Sequence, residues 1–250
     1  MGEYGKVLDS YFRSLIKKDS VAPKVTSVSV CGSSPSNWMA NTEQLKKTNC
    51  GYWRKSQLNG EVRKTTHPYF SFENEFSKAK PDLVVFTLGT NMLVDMTTLG
   101  DEITKIGLLT KKVIENQAQC VWVGPPDTLK PNLKPHLKPT ISAIEEVVKK
   151  NGCHFIDSTK ITVYPDIKAV TKKGNKGVSN TDGIHYTPNG STQWGSKVVE
   201  IIKTLPLVSN TKGTIAAPTV VPNPPPKIEK PKSIIKNQSP PNPESSAGSI

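Results

Sequence analysis

Three short motifs contain residue types that support catalysis. Gly32 follows a β-rich segment, a Gly-Thr-Asn turn ends at Asn91, and an Asp-Gly-Ile-His motif runs from Asp182 to His185. Histidine exchanges protons near neutral pH, and amide N–H groups can stabilise a developing negative charge. Each motif alone has an ordinary structural explanation, because asparagine is common in turns and a lone histidine can simply lie on the surface. Their order along the chain is more specific than any one of them.

Alternating helices and strands position these motifs. Amphipathic periodicity predicts helices, and continuous apolar or β-branched runs predict strands covered on both faces. Residues 35–80 are polar and predict long loops with one or two short helices. The predicted elements are a helix over 4–16, a strand over 25–30, a strand over 82–88, a helix near 98–116, a strand over 120–123, a helix through Ile141 and Val148, a strand over 153–156 and a helix over 191–204.

This alternation predicts an α/β protein of the flavodoxin-like kind, with three α/β/α layers around a parallel sheet. Functional residues of such folds lie on loops at the carboxyl ends of the strands. Gly32, Gly89 and Gly124 all follow predicted strands. The folded domain is predicted over residues 1–206. Residues 207–250 are rich in Pro, Ser and Lys and predict a disordered tail.

The chain is strongly basic, with 33 Lys and Arg against 21 Asp and Glu and a formal net charge of +12. This charge favours anionic partners. Scattered lysine pairs without an arginine cluster argue against nucleic-acid binding. No apolar run predicts a transmembrane segment or a signal peptide, so the sequence as written predicts a cytoplasmic protein.

The four cysteines have no Cys-x-x-Cys spacing, and the four histidines include no pair at ligand spacing. This argues against a zinc site, and the simplest prediction is four buried thiols. If the protein is exported, we expect a disulfide between Cys31, which follows a strand, and Cys50, in the loop region that returns near it.

The order of Gly32, Asn91 and the Asp182/His185 pair resembles that of the SGNH hydrolase family, whose members are also called GDSL esterases. The resemblance covers roughly residues 1–206. It implies that His185 is the general base, that Asp182 orients it, and that Gly32 and Asn91 donate hydrogen bonds to an oxyanion. It implies neither a metal nor an organic cofactor. One small departure is Met92, which stands where many members have an aspartate.

The larger departure is the nucleophile, because no Gly-Asp-Ser occurs in the chain. One alternative makes Ser34 the nucleophile, but residues 35–80 then lack the strand expected before Asn91. In the other, residues 1–5 resemble those that follow the nucleophile. The nucleophile then lies upstream of Met1, and the sheet lacks its first, central strand. A start codon assigned too far downstream would explain the missing nucleophile and a missing export signal together, and would imply a periplasmic or exported protein.

The resemblance implies hydrolysis of an ester through an acyl-serine intermediate. The charge, the Pro-rich tail and the loops with aromatic residues favour an ester of an envelope carbohydrate, such as an O-acetyl group, and lipid and small-molecule esters remain open. The chain as written is then expected to have negligible activity. Two other classes remain open. The first is a non-catalytic module that keeps the fold and binds a carbohydrate or another ligand. The second is a flavodoxin-like binding protein without hydrolase ancestry, which leaves the motif order unexplained.

Overall fold

The computed structural model describes residues 2–15, 24–39, 47–48, 51–56, 60–64, 67–68, 71–161 and 183–207. The predicted tail lies outside these residues, and the boundary at residue 206 stays a prediction. Three of the described strands form a parallel sheet, in which they lie side by side in chain order. These strands are β6 (Leu83–Thr87), β7 (Gln119–Val123) and β8 (His154–Ile156).

Helices cover both faces of this sheet, because alternate residues of each strand point to opposite sides. In β7, Val121 and Val123 pack in a cluster with residues of α1 (Gly2–Ser14) and α6 (Pro188–Thr204), and these two helices contact each other. Cys120 and Trp122 face the other cluster, most of whose helical members come from α4 (Leu99–Glu115) and α5 (Lys134–Lys150). The structure therefore confirms the predicted α/β/α layers with a parallel sheet.

The region predicted as long loops contains strands, and that prediction is wrong. The helices α2 (Pro35–Met39) and α3 (Phe72–Ala79) agree with the one or two short helices expected there. However, β3 (Tyr52–Ser56) and β4 (Gly60–Lys64) form an antiparallel hairpin, and β2 (Lys47–Thr48) pairs with β5 (His67–Pro68). The hairpin has little apolar alternation. It is stabilised by polar cross-strand contacts, such as the bond from Trp53 Nε1 to Glu61 (2.9 Å).

The first strand, β1 (Thr26–Val30), is predicted to belong to the parallel sheet, and this prediction is wrong. The strand pairs antiparallel with β3. Its only buried residue is Val30, whereas serines occupy every second position, so it lacks the apolar character of a strand covered on both faces.

A disulfide joins Cys120 in β7 to Cys153 before β8, with Cα atoms 4.9 Å apart. The expectation of four buried thiols is therefore wrong. Sequence periodicity does not reveal which strands are neighbours, so this pairing could not be predicted. Cys31 is also disulfide-bonded. Its predicted partner, Cys50, lies outside the described residues.

A buried carboxylate, Asp9, connects α1 to the antiparallel sheet. It is 1% exposed and accepts hydrogen bonds from Arg13 (2.8 and 3.0 Å) and Ser27 (3.0 Å), and Lys55 lies 2.8 Å away. Burial raises the pKa of Asp9, but the bonds from Arg13, Lys55 and Ser27 together outweigh burial and lower the pKa below its usual value. The ionised form therefore stabilises the fold.

We expect removal of the disulfide to destabilise the protein. A Cys120→Ala/Cys153→Ala variant should lose about 3–4 kcal/mol of unfolding free energy, because the bond closes a loop of 33 residues. Urea denaturation without reductant measures the loss. Wild-type protein in reductant should show a loss at least as large, because reductant also breaks the disulfide of Cys31. Equal stability of the oxidised and reduced wild-type protein would contradict this prediction.

Asp9 should make stability dependent on pH. Because its folded pKa is lowered, its contribution is complete above the unfolded pKa of about 3.9 and disappears as the pH falls through the folded pKa. We expect Asp9→Asn to cost about 2 kcal/mol at pH 7 and much less near pH 3. The control is Asp101→Asn, an exposed acid of α4. A difference between wild type and Asp9→Asn that stays constant down to pH 3 would refute the assignment.

Candidate active site

The turn after β1 contains two of the predicted site residues. Gly32 has a φ of +70°, a conformation that favours glycine, and it is exposed. The side chain of Ser33 is buried and donates a hydrogen bond back to the carbonyl of Val30 (3.0 Å). Ser34 directly precedes α2, and its N–H donates to the side chain of Asn37 (2.8 Å), as in a capping box. The turn is therefore held at both of its ends.

The loop after β6 brings Asn91 to this turn. Asn91 lies in a 3-10 helix (Thr90–Leu93), and its Nδ2 donates a hydrogen bond to the backbone oxygen of Ser33 (2.9 Å) across a separation of 58 residues. Asn91 is exposed, whereas the next two residues, Met92 and Leu93, are buried and anchor the loop. The structure thus places Asn91 beside Gly32, the other predicted oxyanion donor.

Gly89 allows the chain to enter this loop. Its φ is +141°, and a Cβ atom there would lie 2.8 Å from Cδ of Pro125 and 3.2 Å from Cδ1 of Ile144. A side chain would therefore be strained by both the backbone and its surroundings. The close approach of the loops after β6 and β7 depends on glycine at this position.

The segment that carries His185 is attached to the loop after β7. The carbonyl of Gly183 accepts hydrogen bonds from Thr128 Oγ1 (3.0 Å) and from the backbone N–H of Leu129 (2.9 Å). Ile184 packs against a buried cluster that includes Leu93, the last residue of the 3-10 helix that holds Asn91. His185 is exposed and lies shortly before α6. The His185 and Asn91 segments therefore meet at one apolar cluster.

Asp182, the predicted partner of His185, lies outside the described residues. The pairing of the two side chains stays a prediction. The catalytic role of His185 and the oxyanion roles of Gly32 and Asn91 likewise stay predictions, although their segments converge.

Ser34, the alternative nucleophile, is engaged in a polar cluster. Its hydroxyl lies 3.0 Å from Ser36 Oγ, 3.0 Å from Asn37 Oδ1 and 2.9 Å from Glu102 Oε1. Glu102 is 7% exposed and belongs to the first turn of α4. This contact could not be predicted from the sequence, because a glutamate in the first turn of an amphipathic helix is usually solvated. Thr128 was missed for a similar reason, since a threonine in a loop is common.

Within the described ranges, no group of three or more His, Cys, Asp and Glu side chains could hold a metal ion. His136 instead contacts the backbone oxygen of Leu93 through Nδ1 (3.1 Å). Among those same residues, no helix is both long and apolar enough to cross a membrane.

Because Pro125 and Ile144 lie so close to Gly89, we expect a side chain at position 89 to destabilise the protein. Gly89→Ala should lower the unfolding free energy by about 2 kcal/mol or more, because of its positive φ and the contact with Pro125. Gly100→Ala in α4 is the matched control, since its Cβ would meet open space, and it should be neutral or stabilising by up to about 1 kcal/mol. Similar melting temperatures for the two variants would show that the loop relaxes freely.

Several solved structures are similar to this chain. The crystal structure of TesA is 18% identical and has a TM-score of 0.41, and the match covers 54% of this chain and 69% of TesA. Axe2, an acetylxylan esterase from Geobacillus stearothermophilus, is 14% identical with a TM-score of 0.41, and the match covers 55% and 67% of the two chains. A GDSL-like lipase from Bacteroides thetaiotaomicron is 19% identical with a TM-score of 0.40, over 53% and 67%. These likenesses concern the fold alone.

No curated protein matches the sequence. A family described as "Protein of unknown function (DUF459)" matches residues 69–200, more than half of the chain. The match begins before β6 and extends into α6, so it includes the whole parallel sheet, Asn91, Asp182 and His185. The chain belongs to the DUF459 family.

Proposed function

We propose that this chain carries the general base and the oxyanion donors of a serine-type ester hydrolase. The observation that supports this most directly is the hydrogen bond from Asn91 to Ser33, because it joins the Asn91 loop to the residue that directly follows Gly32 across a separation of 58 residues. Neither residue type is unusual in a turn. Their convergence at the ends of two strands is what a catalytic arrangement requires.

The amide of Asn91 suits the oxyanion role. Its nitrogen has two hydrogens, of which one is donated to Ser33. The bond fixes the plane of the amide, and the second hydrogen can be donated to the oxygen of a reacting ester. Gly32, one residue before Ser33, would contribute its backbone N–H as the second donor. Such preorganised donors stabilise the charge that develops on the carbonyl oxygen in the transition state.

His185 would act as the general base. As a serine oxygen attacks the ester carbonyl, the imidazole takes the hydroxyl proton, and it later returns this proton to the leaving alcohol. Asp182 would accept a hydrogen bond from the other ring nitrogen and orient the ring. The exposed position of His185 and the attachment of its segment through Thr128 are compatible with this role.

We infer that the nucleophile belongs to a strand that precedes residue 1. Within the part of the chain that the structure describes, β6 pairs with a strand only on its β7 side. Yet its side chains pack in the apolar clusters on both faces, as in a central strand. A strand beside β6 that leads into α1 would complete the sheet and would end near the Gly32 turn. Ser34 is not assigned this role, because its hydroxyl is engaged with Glu102.

The proposed substrate is an acetyl ester on an envelope polysaccharide. The net charge of +12 favours an anionic polymer, because a positive surface potential raises the local concentration of polyanions. Gly32, Asn91 and His185 are all exposed, which is compatible with a polymeric substrate.

Activity of four proteins tests this proposal. The reading frame is extended upstream, and the longer form is assayed on an acetyl ester beside the 250-residue form, a His185→Ala variant of the longer form and a Ser34→Ala variant of the longer form. We expect activity from the longer form, a decrease of about 10³-fold or more for His185→Ala, and a decrease of at most about 10-fold for Ser34→Ala, which loses one bond to Glu102 but keeps the two from Ser36. The 250-residue form should be inactive.

Two results would contradict the proposal. Loss of activity in Ser34→Ala with full stability would make Ser34 the nucleophile. An upstream frame without a strand ending in Gly-Asp-Ser, together with inactivity of every form, would favour the non-catalytic binding module. Binding of acetylated polysaccharide by the inactive protein would then be the activity to measure.

A further inference from the structure

Glu102 occupies an unusual environment for a charged side chain. It is 7% exposed, and all of its hydrogen-bond donors in the described residues come from the amino-terminal end of α2. Oε1 accepts from the hydroxyls of Ser34 (2.9 Å) and Ser36 (2.6 Å), and Oε2 accepts from the N–H of Ser36 (2.9 Å). Burial of a carboxylate is unfavourable unless its oxygens are hydrogen-bonded, so this contact is specific.

The contact fixes the turn that the predicted oxyanion site uses. Ser34 follows Ser33 directly, and the Ser33 carbonyl is the acceptor for the Asn91 amide. Any movement of the start of α2 would therefore move the Ser33 carbonyl, and the Asn91 amide plane would follow. Glu102 and Asn91 hold the same turn from its two sides.

We propose that Glu102 is a positioning residue for the oxyanion donors. It touches neither Asn91 nor the reacting group. It acts through α2 by holding Ser33 where its carbonyl takes one Asn91 hydrogen and leaves the other directed toward the substrate. The functional part of this inference rests on the proposed esterase function, whereas the coupling between Glu102 and Asn91 can be measured without any activity.

The first measurement is the NMR signal pair of the Asn91 side-chain amide in the 250-residue protein. In wild type, the hydrogen bonded to Ser33 should be shifted and slow to exchange. In Glu102→Gln, which keeps the size of the side chain but cannot accept all three bonds, both signals should move and exchange should become faster. Glu115→Gln is the matched control, because Glu115 lies on the same helix, α4, and is 58% exposed. It should leave the Asn91 signals unchanged.

Ser36→Ala gives an independent test if Glu102→Gln fails to fold. It removes the hydroxyl that lies 2.6 Å from Glu102 but keeps the backbone bond, so it should move the Asn91 signals in the same direction by a smaller amount. Unchanged Asn91 signals in a folded Glu102→Gln or Ser36→Ala variant would overturn the proposed coupling.

The second measurement is made in the form of the protein that hydrolyses acetyl esters. Because the oxyanion exists only in the transition state, Glu102→Gln should lower kcat by about 10-fold or more and change KM less than about 2-fold. A rise in KM at constant kcat, or equal kcat, would overturn the catalytic part of the inference. If every form is inactive while the NMR coupling is present, the esterase proposal fails and the positioning contact stands.

Discussion

The hydrogen bond between the Asn91 amide and the Ser33 carbonyl connects two parts of the fold that share no strand pairing in the described residues. β1 belongs to an antiparallel sheet, and β6 belongs to the parallel sheet. This bond and the contacts of Glu102 with Ser34 and Ser36 both connect the turn after β1 to the part of the fold that contains the parallel sheet. Of these contacts, the bond from Asn91 sets the position of Asn91 relative to the residue that follows Gly32, and any chemistry that uses both residues depends on it.

Two buried carboxylates connect β1, β3 and the start of α2 to helices that lie on opposite faces of the parallel sheet. Asp9 on α1 binds Ser27 in β1 and Lys55 in β3, and Glu102 on α4 binds the start of α2 beyond β1. The helices α1 and α4 pack in the clusters on opposite faces of the parallel sheet. Polar contacts thus replace the apolar packing that a strand within the parallel sheet would have. Because each carboxylate accepts several hydrogen bonds, the cost of its burial is offset.

Sequence patterns predicted the elements whose periodicity is strong. The apolar runs of β6 and β7 and the amphipathic helices α4 and α5 lie close to where they were expected. The hairpin of β3 and β4 was missed because its strands are polar and depend on cross-strand contacts such as Trp53 with Glu61. Burial of Glu102 could not be predicted, since it results from a helix and a turn that meet across 66 residues. For the site, the sequence indicated which loops carry Gly32, Asn91 and His185, but it did not indicate what holds those loops in place.

The most direct test is a crystal structure of the upstream-extended protein after reaction with a phosphonate ester, which leaves a tetrahedral adduct on the nucleophile. The account predicts an adduct on a serine upstream of Met1, with one phosphonyl oxygen about 2.7–3.1 Å from both Asn91 Nδ2 and the N–H of Gly32. An adduct on Ser34, or a phosphonyl oxygen that contacts neither donor, would contradict it.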